Sequence, residues 1–295
     1  MNNSKVFEIE RTANDLRKRT LDMCIKAETG HVTSSMCCAE ILACLYFGGI
    51  LNYNHKDPDL DDRDRFILSK GQASPIYYVA LARAGFYPLG WLDRFVGGKD
   101  GSGKNAPFGV HLQCTVPGVE FTTGSLGHGL GYAVGMAESA MLDEKEHLVY
   151  ALLGDGELYE GSNWEAVMYA SHHKLTNLIA IVDRNKMCTN DYTEKIVHLD
   201  PLDKKWSSFG WDVELVNGHS VEELMNVFTN SRNRTITAEK PLVIIADTVK
   251  GKGIPSMTDK LYLHGIAPHG KKAETAMQEL ESFIINHEKN GGYID

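Results

Sequence analysis

A short apolar run, a glycine-rich turn and a helix-like stretch follow one another repeatedly along the chain. The apolar runs predict β-strands over residues 65–69, 147–153, 178–183, 213–216 and 242–247. Because each is a short, continuous run rich in β-forming residues, these runs indicate strands that are buried on both faces of a parallel sheet. The stretches between them predict helices over residues 11–28, 39–47, 71–84, 130–142, 160–173, 221–231 and 274–290.

The alternation of strands and helices predicts an α/β fold, with a doubly wound, mostly parallel sheet and helices on both faces. The 295 residues allow either two modest domains or one large one. No internal repeat, low-complexity tract or long linker marks a boundary. In such a sheet, ligands bind at the carboxyl ends of the strands, so the residues that follow each strand are the first place to look for chemistry.

Charge and composition exclude several classes of protein. The net charge of −9 argues against a general affinity for nucleic acid or for anionic membranes. No apolar run approaches the ~18 to 20 residues of a membrane helix, and the N-terminus lacks the apolar segment of a secretory signal. No C-x-x-C pair occurs among the six cysteines, which we expect to be reduced. The sequence therefore predicts a cytoplasmic protein that binds neither nucleic acid nor membrane.

Two glycine-rich loops resemble phosphate-binding loops only weakly. Residues 98–105 nearly match the P-loop of nucleotide triphosphatases, but Asn105 stands where a Ser or Thr would hold Mg²⁺, and no strand precedes the loop. A surface loop, or one that flanks an active site, is the better interpretation. Residues 124–131 open a predicted helix and would present backbone amides to an anion, although their glycines do not form G-x-G-x-x-G.

A third loop is more informative, because it places polar residues at the ends of two strands. Asp155 lies between Gly154 and Gly156 after the strand at 147–153, and Asn185 follows the strand at 178–183. Thirty residues separate Asp155 from Asn185, which is enough for one helix and a return strand in a right-handed crossover. Both side chains would then reach one Mg²⁺ or Ca²⁺ ion, with diphosphate oxygens as further ligands. Gly156 would let the backbone approach that diphosphate.

This arrangement resembles the thiamine-diphosphate-binding motif, and the flanking sequence is similar to the N-terminal half of transketolases. The similarity extends from about residue 15 to about residue 269. It is carried by ordered blocks at residues 29–31, 63–71, 117–127, 154–157, 160–161 and 264–265. The resemblance implies one thiamine-diphosphate-binding domain over residues 1–295, with a helical segment at about 1–50 and a C-terminal helix at about 274–290.

The resemblance also implies the roles of individual residues. The Mg²⁺ ion, for which Ca²⁺ or Mn²⁺ can substitute, would be bound by Asp155, Asn185 and the carbonyl group of Met187. Residues implied to line the cofactor site are Gln72, Gly124, Leu126, Gly154, Gly156, Glu157 and His264. His31, His111 and His264 would line the substrate channel and contact substrate hydroxyls or the cofactor. Glu160 would contact a glutamate of a facing pyrimidine-binding domain.

Two residues depart from the family pattern. Gln72 stands where transketolases usually carry a His, and His128 stands where a Gln is usual. A glutamine can donate a hydrogen bond but cannot carry a proton or a charge. The exchange either rearranges the hydrogen bonds beside the cofactor for an unusual ketose or is neutral drift.

Full-length transketolases continue with a pyrimidine-binding domain, whereas this sequence ends at Asp295. The resemblance therefore implies a separate partner subunit that carries that domain, in an assembly of two plus two chains. The implied activity is transfer of a two-carbon ketol group from a ketose phosphate to an aldose phosphate. The alternatives are the same chemistry on a branched or sulfonated ketose, a non-catalytic scaffold subunit, and nucleotide hydrolysis at Lys104.

Overall fold

The computed structural model describes residues 3–97, 108–234 and 238–293. At its centre lies a parallel five-stranded sheet with the strand order β1-β2-β3-β5-β4. The strands are β1 (Arg65–Leu68), β2 (Val149–Gly154), β3 (Leu178–Arg184), β4 (Asp212–Asn217) and β5 (Leu242–Asp247). Each lies within two residues of its predicted bounds. The loop at 98–105, which nearly matches a P-loop, lies outside the described residues.

Ten α-helices occur in the described ranges. They are α1 (Asn3–Ala27), α2 (Val32–Met36), α3 (Ala39–Phe47), α4 (Ser74–Arg83), α5 (Gly129–Leu142), α6 (Gly161–His172), α7 (Thr193–Ile196), α8 (Leu202–Ser208), α9 (Val221–Arg234) and α10 (Lys271–Asn290). The pattern does not predict α2, α7 or α8, which have at most seven residues each. A 3₁₀ turn at Gly71–Ala73 precedes α4, because Pro75 suits the first turn of a new helix.

Successive residues of each strand pack into two different cores, which confirms the doubly wound α/β class. Phe66, Tyr150 and Ile181 face the core that α1, α3, α4 and α9 cover. Ile67 and Ala151 face the opposite core, which α5, α6 and α8 complete. Because both faces of the sheet are covered, β2 and the first five residues of β3 (178–182) are apolar, as the continuous runs in the sequence indicated.

Two further expectations from the sequence concern cysteines and membranes. All six cysteines are free thiols, and Cys24, Cys37, Cys38 and Cys44 are buried among apolar residues. Within the described ranges, no helix has the length and apolar character needed to span a bilayer.

Candidate functional site

The ends of β2 and β3 bring Asp155 close to the segment that contains Asn185. The strands pair in register, with Gly154 opposite Asp183, so the residues that follow them emerge side by side. The Oδ1 atom of Asp155 accepts a hydrogen bond from the backbone nitrogen of Gly156 at 2.8 Å. Its Oδ2 atom accepts one from the backbone nitrogen of Lys186 at 2.6 Å. The aspartate therefore joins the two loops.

Asp155 is buried, and its electrostatic environment is mixed. Burial raises the pKa of its carboxyl group to about 6, and the neighbouring charge of Asp183 acts in the same direction. Arg184 opposes this shift, because its Nη1 atom lies 3.1 Å from Oδ2. A divalent cation beside the carboxylate would favour the ionised form in the same way that Arg184 does.

The other two residues expected to bind metal lie beside Asp155. The Oδ1 atom of Asn185 accepts a hydrogen bond from the backbone nitrogen of Met187 at 3.2 Å. A Cβ atom placed on Gly156 would lie 3.9 Å from the carbonyl oxygen of Met187. One carboxylate, one amide oxygen and one peptide carbonyl are the hard donors that Mg²⁺ prefers. Within the described ranges, no three His, Cys, Asp or Glu side chains are arranged so that they could hold a metal ion, so a thiolate- or imidazole-rich metal site is not an alternative there.

Gly156 occupies a position that has no room for a side chain. A Cβ atom there would lie 2.8 Å from the Cβ atom of Cys188, closer than side chains normally approach. The loop after β2 therefore lies directly against the loop after β3.

Glu157 is turned into the protein and binds three loops together. One oxygen of its carboxylate accepts hydrogen bonds from the hydroxyl of Ser69 and, at 3.0 Å, from the backbone nitrogen of Gly127. The other oxygen accepts one from the backbone nitrogen of Gly154 at 3.0 Å. Both carboxylate oxygens of Glu157 thus accept hydrogen bonds from the chain itself. Glu157 therefore affects ligand binding by holding these loops in place and not by contacting the ligand.

Three histidines from distant parts of the sequence form a cluster. The ring of His31 lies 5.7 Å from the ring of His111 and 5.5 Å from that of His264, measured between ring centroids. His31 begins α2, and His264 ends a short 3₁₀ turn after β5. The cluster adjoins the loop after β3, because Nε2 of His264 lies 3.4 Å from the hydroxyl of Thr189.

Two of these histidines have pKa values well below 7, so their imidazole rings are uncharged at pH 7. Burial lowers the pKa of His31 to about 4, and the charges of His111, Lys250 and Lys70 add to this effect. Burial likewise lowers the pKa of His264 to about 4, with contributions from Lys250, His31 and Lys70. Neutral imidazoles can donate and accept hydrogen bonds at a reacting centre without adding positive charge to it.

Gln72 and Gly124 line the same region. The side-chain nitrogen of Gln72 donates a hydrogen bond to the carbonyl oxygen of Gly124 at 3.1 Å. This bond fixes the orientation of the amide, and it leaves the side-chain oxygen of Gln72 buried without a partner in the structure. Gly124 has a φ of +137°, and a Cβ atom there would contact the ring of His111. Leu126, two residues further, is half-buried. His128 is exposed and precedes α5.

A buried network below these loops was not predicted from the sequence. The ammonium group of Lys70 contacts the carboxylate of Asp183 and donates a hydrogen bond to the carbonyl oxygen of Ser34 at 3.0 Å. The same carboxylate accepts hydrogen bonds from the thiol of Cys37 and the hydroxyl of Thr248. The available signal was that Lys70 directly follows the predicted strand at 65–69 and that Asp183 ends the predicted strand at 178–183.

Glu160 lies at the exposed entrance of the site. It begins α6, and a Cβ atom on Gly127 would overlap its side chain, so the two residues are in close contact. The hydroxyl of Ser162 donates a hydrogen bond to the carbonyl oxygen of Gly127 at 2.8 Å. The exposed faces of α5 and α6 lie next to Glu160 and Gly127. The structure thus brings the predicted metal-binding residues, Gly156, Gln72, Gly124 and the three histidines into one region, with Glu160 at its border.

Comparison with known proteins identifies the family. The model of the transketolase thiamine diphosphate binding domain matches residues 9–288. The 6-deoxy-6-sulfo-D-fructose transketolase subunit SqwG of Clostridium sp. (strain MSTE9) is 37% identical over 275 residues, which are 93% of this chain and 97% of that protein. An apulose-4-phosphate transketolase subunit from Phocaeicola vulgatus is 36% identical over 289 residues, which are 97% of this chain and 99% of that protein.

The fold is also that of solved transketolases. The crystal structure of transketolase from Campylobacter jejuni superposes with a TM-score of 0.83 at 28% sequence identity. The superposition covers 97% of this chain but 46% of that one, so this chain spans about half of that transketolase. The chain belongs to the transketolase family and corresponds to its thiamine diphosphate binding domain.

Proposed function

We propose that this chain is the thiamine-diphosphate- and Mg²⁺-binding subunit of a two-subunit transketolase, and that residues 1–295 form a single domain. The activity is transfer of a two-carbon ketol group from a ketose to an aldose. One observation carries the proposal: Asp155, Asn185 and the carbonyl group of Met187 meet at the ends of β2 and β3, next to the cluster of three histidines.

The chain's own residues bind and orient the reactants. Asp155, Asn185 and Met187 would hold the metal, and the backbone at Gly156 would contact the diphosphate closely. When bound, the cofactor supplies the nucleophilic carbon that breaks and forms the carbon–carbon bond. His31, His111 and His264 line the approach to this region and offer hydrogen bonds to sugar hydroxyls. Leu126 and Gly124 contribute the apolar and backbone surface beside the cofactor.

A partner subunit completes the active site in this proposal. Both relatives named as subunits match this chain over nearly their whole length, whereas a full-length transketolase is about twice as long. The missing part corresponds to the pyrimidine-binding domain, and the expected assembly is two plus two chains. Free thiols at all six cysteines are consistent with a reducing, cytoplasmic location.

The exposed faces of α5 and α6 are the proposed docking surface for that partner. Gly131 and Gly135 lie one turn apart on α5, and a Cβ atom on either would meet nothing within 4 Å. Packing within this chain therefore does not require glycine there, although glycine destabilises a helix by about 1 kcal/mol relative to alanine. Exposed apolar side chains flank them at Tyr132, Met141, Leu142, Met168 and Tyr169. This surface is continuous with Glu160 at the entrance of the site.

The proposed donor is a ketose other than those of ordinary transketolases. Two relatives that are subunits of similar length carry names for 6-deoxy-6-sulfo-D-fructose and apulose 4-phosphate. Gln72, which presents an unpartnered buried oxygen where the family usually carries His, supports a changed set of hydrogen bonds. We therefore propose a sulfonated or branched donor.

Assays of the assembled enzyme on these donors and on xylulose 5-phosphate distinguish the alternatives. A Gln72→His variant with unchanged donor selectivity would show that Gln72 does not determine the donor.

Calorimetry and a mixing experiment test the function. Thiamine diphosphate should bind the chain in the presence of Mg²⁺, and binding should be lost when EDTA removes the metal. Ketol transfer should appear only after the partner subunit is added. Cofactor binding without transfer in the assembled complex would favour the scaffold alternative. Full activity of the chain alone would contradict the proposed partner.

A further inference from the structure

Lys250 is a buried lysine that contacts a ring nitrogen of His264. Its Nζ atom lies 3.0 Å from Nδ1 of His264, and 3% of the residue is exposed. An ammonium group carries three N–H donors and has no acceptor. Burial lowers the pKa of Lys250, but a protonated Lys250 has only donors, so the ring nitrogen that faces it accepts the hydrogen bond and cannot itself carry a proton.

A neutral imidazole with an unprotonated Nδ1 carries its proton on Nε2. We infer that Lys250 is a positioning residue that fixes the tautomer of His264, so that the Nε2–H group is presented to the active site. The low pKa of His264, about 4, agrees with a ring that remains neutral at pH 7. This inference deepens the proposed function, because it specifies what His264 does in the same site.

The surroundings of Nε2 define what the tautomer can do. Nε2 lies 3.4 Å from the hydroxyl of Thr189, and the ring meets His31 edge to face at an interplanar angle of 85°. With its proton on Nε2, His264 donates a hydrogen bond to a ligand oxygen there. It does not accept a proton at that atom, because the lone pair of the ring is on Nδ1 and is engaged by Lys250. His264 is thus assigned the role of a hydrogen-bond donor and not of a general base.

Nuclear magnetic resonance of the chain labelled with ¹⁵N-histidine tests this directly. Two-bond ¹⁵N–¹H correlations distinguish protonated ring nitrogens from unprotonated ones, and the His264→Gln variant identifies the signals of His264. We expect a protonated Nε2 and an unprotonated Nδ1 in the parent chain. A protonated Nδ1 in the parent overturns the inference, whichever variants fold.

Substitution of Lys250 tests whether this residue is the cause. In Lys250→Met, the Nδ1 signal of His264 should shift and both tautomers should be populated, because the hydroxyl of Thr189 can donate to Nε2 or accept from it. Lys250→Leu, whose side chain also lacks any hydrogen-bond donor, should give the same change if the Met variant does not fold. Exposed Lys260, changed to Met, is the matched control and should leave the spectrum unaltered.

Unchanged His264 signals in a folded Lys250 variant overturn the inference. The readout is independent of enzyme activity, so it separates this inference from the proposed function. An assembled enzyme that lacks ketol transfer but keeps the expected tautomer would overturn the function alone. Ketol transfer with a protonated Nδ1 would overturn the role of Lys250 alone.

Discussion

The carboxylate of Asp155 accepts a hydrogen bond from the backbone nitrogen of Lys186 across 2.6 Å, which ties the end of β2 to the loop after β3. The same aspartate is thus a structural link and the expected metal ligand. These two roles place different demands on it, because the link needs an acceptor oxygen whereas the metal needs a negative charge.

Asp155→Asn should separate the two roles. The amide keeps one acceptor oxygen, which can serve Lys186 in place of the two that now serve Gly156 and Lys186, and it loses the charge. We therefore expect Mg²⁺-dependent binding of thiamine diphosphate to weaken at least ~10-fold, or ~1.4 kcal/mol. Calorimetric titration measures the affinity. Asp57→Asn is the control, since Asp57 is an exposed aspartate in the loop before β1, away from these two strand ends. Equal affinities for the two variants would contradict Asp155 as a metal ligand.

Gly156→Ala should destabilise the chain, because the new Cβ atom would lie 2.8 Å from the Cβ atom of Cys188. Overpacking of this kind costs about 1 to 3 kcal/mol. Gly161→Ala is the matched control at the start of α6, where a Cβ atom would meet open space. Urea unfolding of the two variants should show a loss for the first and little change for the second. If Gly156→Ala is as stable as Gly161→Ala, the loops after β2 and β3 can move apart at little cost in free energy.

Alanine at Gly131 and Gly135 should have opposite effects on stability and on assembly. Each substitution should stabilise the isolated chain by up to about 1 kcal/mol, because both positions are exposed in the interior of α5. Each should also weaken binding of the partner subunit, because the added methyl groups keep its backbone away. Thermal unfolding and a binding titration measure the two effects. Undiminished binding by both variants would exclude this face of α5 from the interface.

Lys70→Met should be strongly destabilising, because it leaves the carboxylate of Asp183 buried without its cation. Removing one partner of a buried ion pair costs about 3 to 5 kcal/mol. The double variant Lys70→Met/Asp183→Asn should recover much of that loss, since no buried charge remains and Asn can still bond Thr248. Lys18→Met, which breaks an exposed pair with Glu281, should cost less than ~1 kcal/mol. A double variant no more stable than the single one would assign the loss to packing.

His31 should make the folded chain less stable as the pH falls. Its pKa is about 4 in the fold against an ordinary 6.5, so between these values the unfolded chain binds a proton that the folded chain does not. Stability from this group is complete above pH 6.5 and declines toward pH 4. Between pH 7.5 and pH 5.0, the parent should lose more unfolding free energy than the His31→Gln variant. Equal losses would mean that His31 is protonated in the fold.

The sequence predicted the five strands and the meeting of Asp155 with the Asn185 loop, because both follow from local pattern. Apolar runs mark buried strands, and a right-handed crossover aligns the ends of consecutive parallel strands. The pattern did not reveal the pairing of Lys70 with Asp183 or of Lys250 with His264. Each of these contacts joins residues from different segments of the chain. Whether the two side chains meet depends on how those segments pack against each other, and the local pattern does not contain that information.

The position of β1 also has a consequence for synthesis of the protein. β1 pairs only with β2 among the described strands, and 84 positions separate Arg65 from its partner Val149. At about 5 to 20 residues per second, a ribosome needs about 4 to 17 s to make that interval. During this time the apolar residues of β1 and α3 have no sheet to cover them. We therefore expect the nascent chain to expose these apolar residues, and to be open to chaperone binding, until β2 leaves the ribosome.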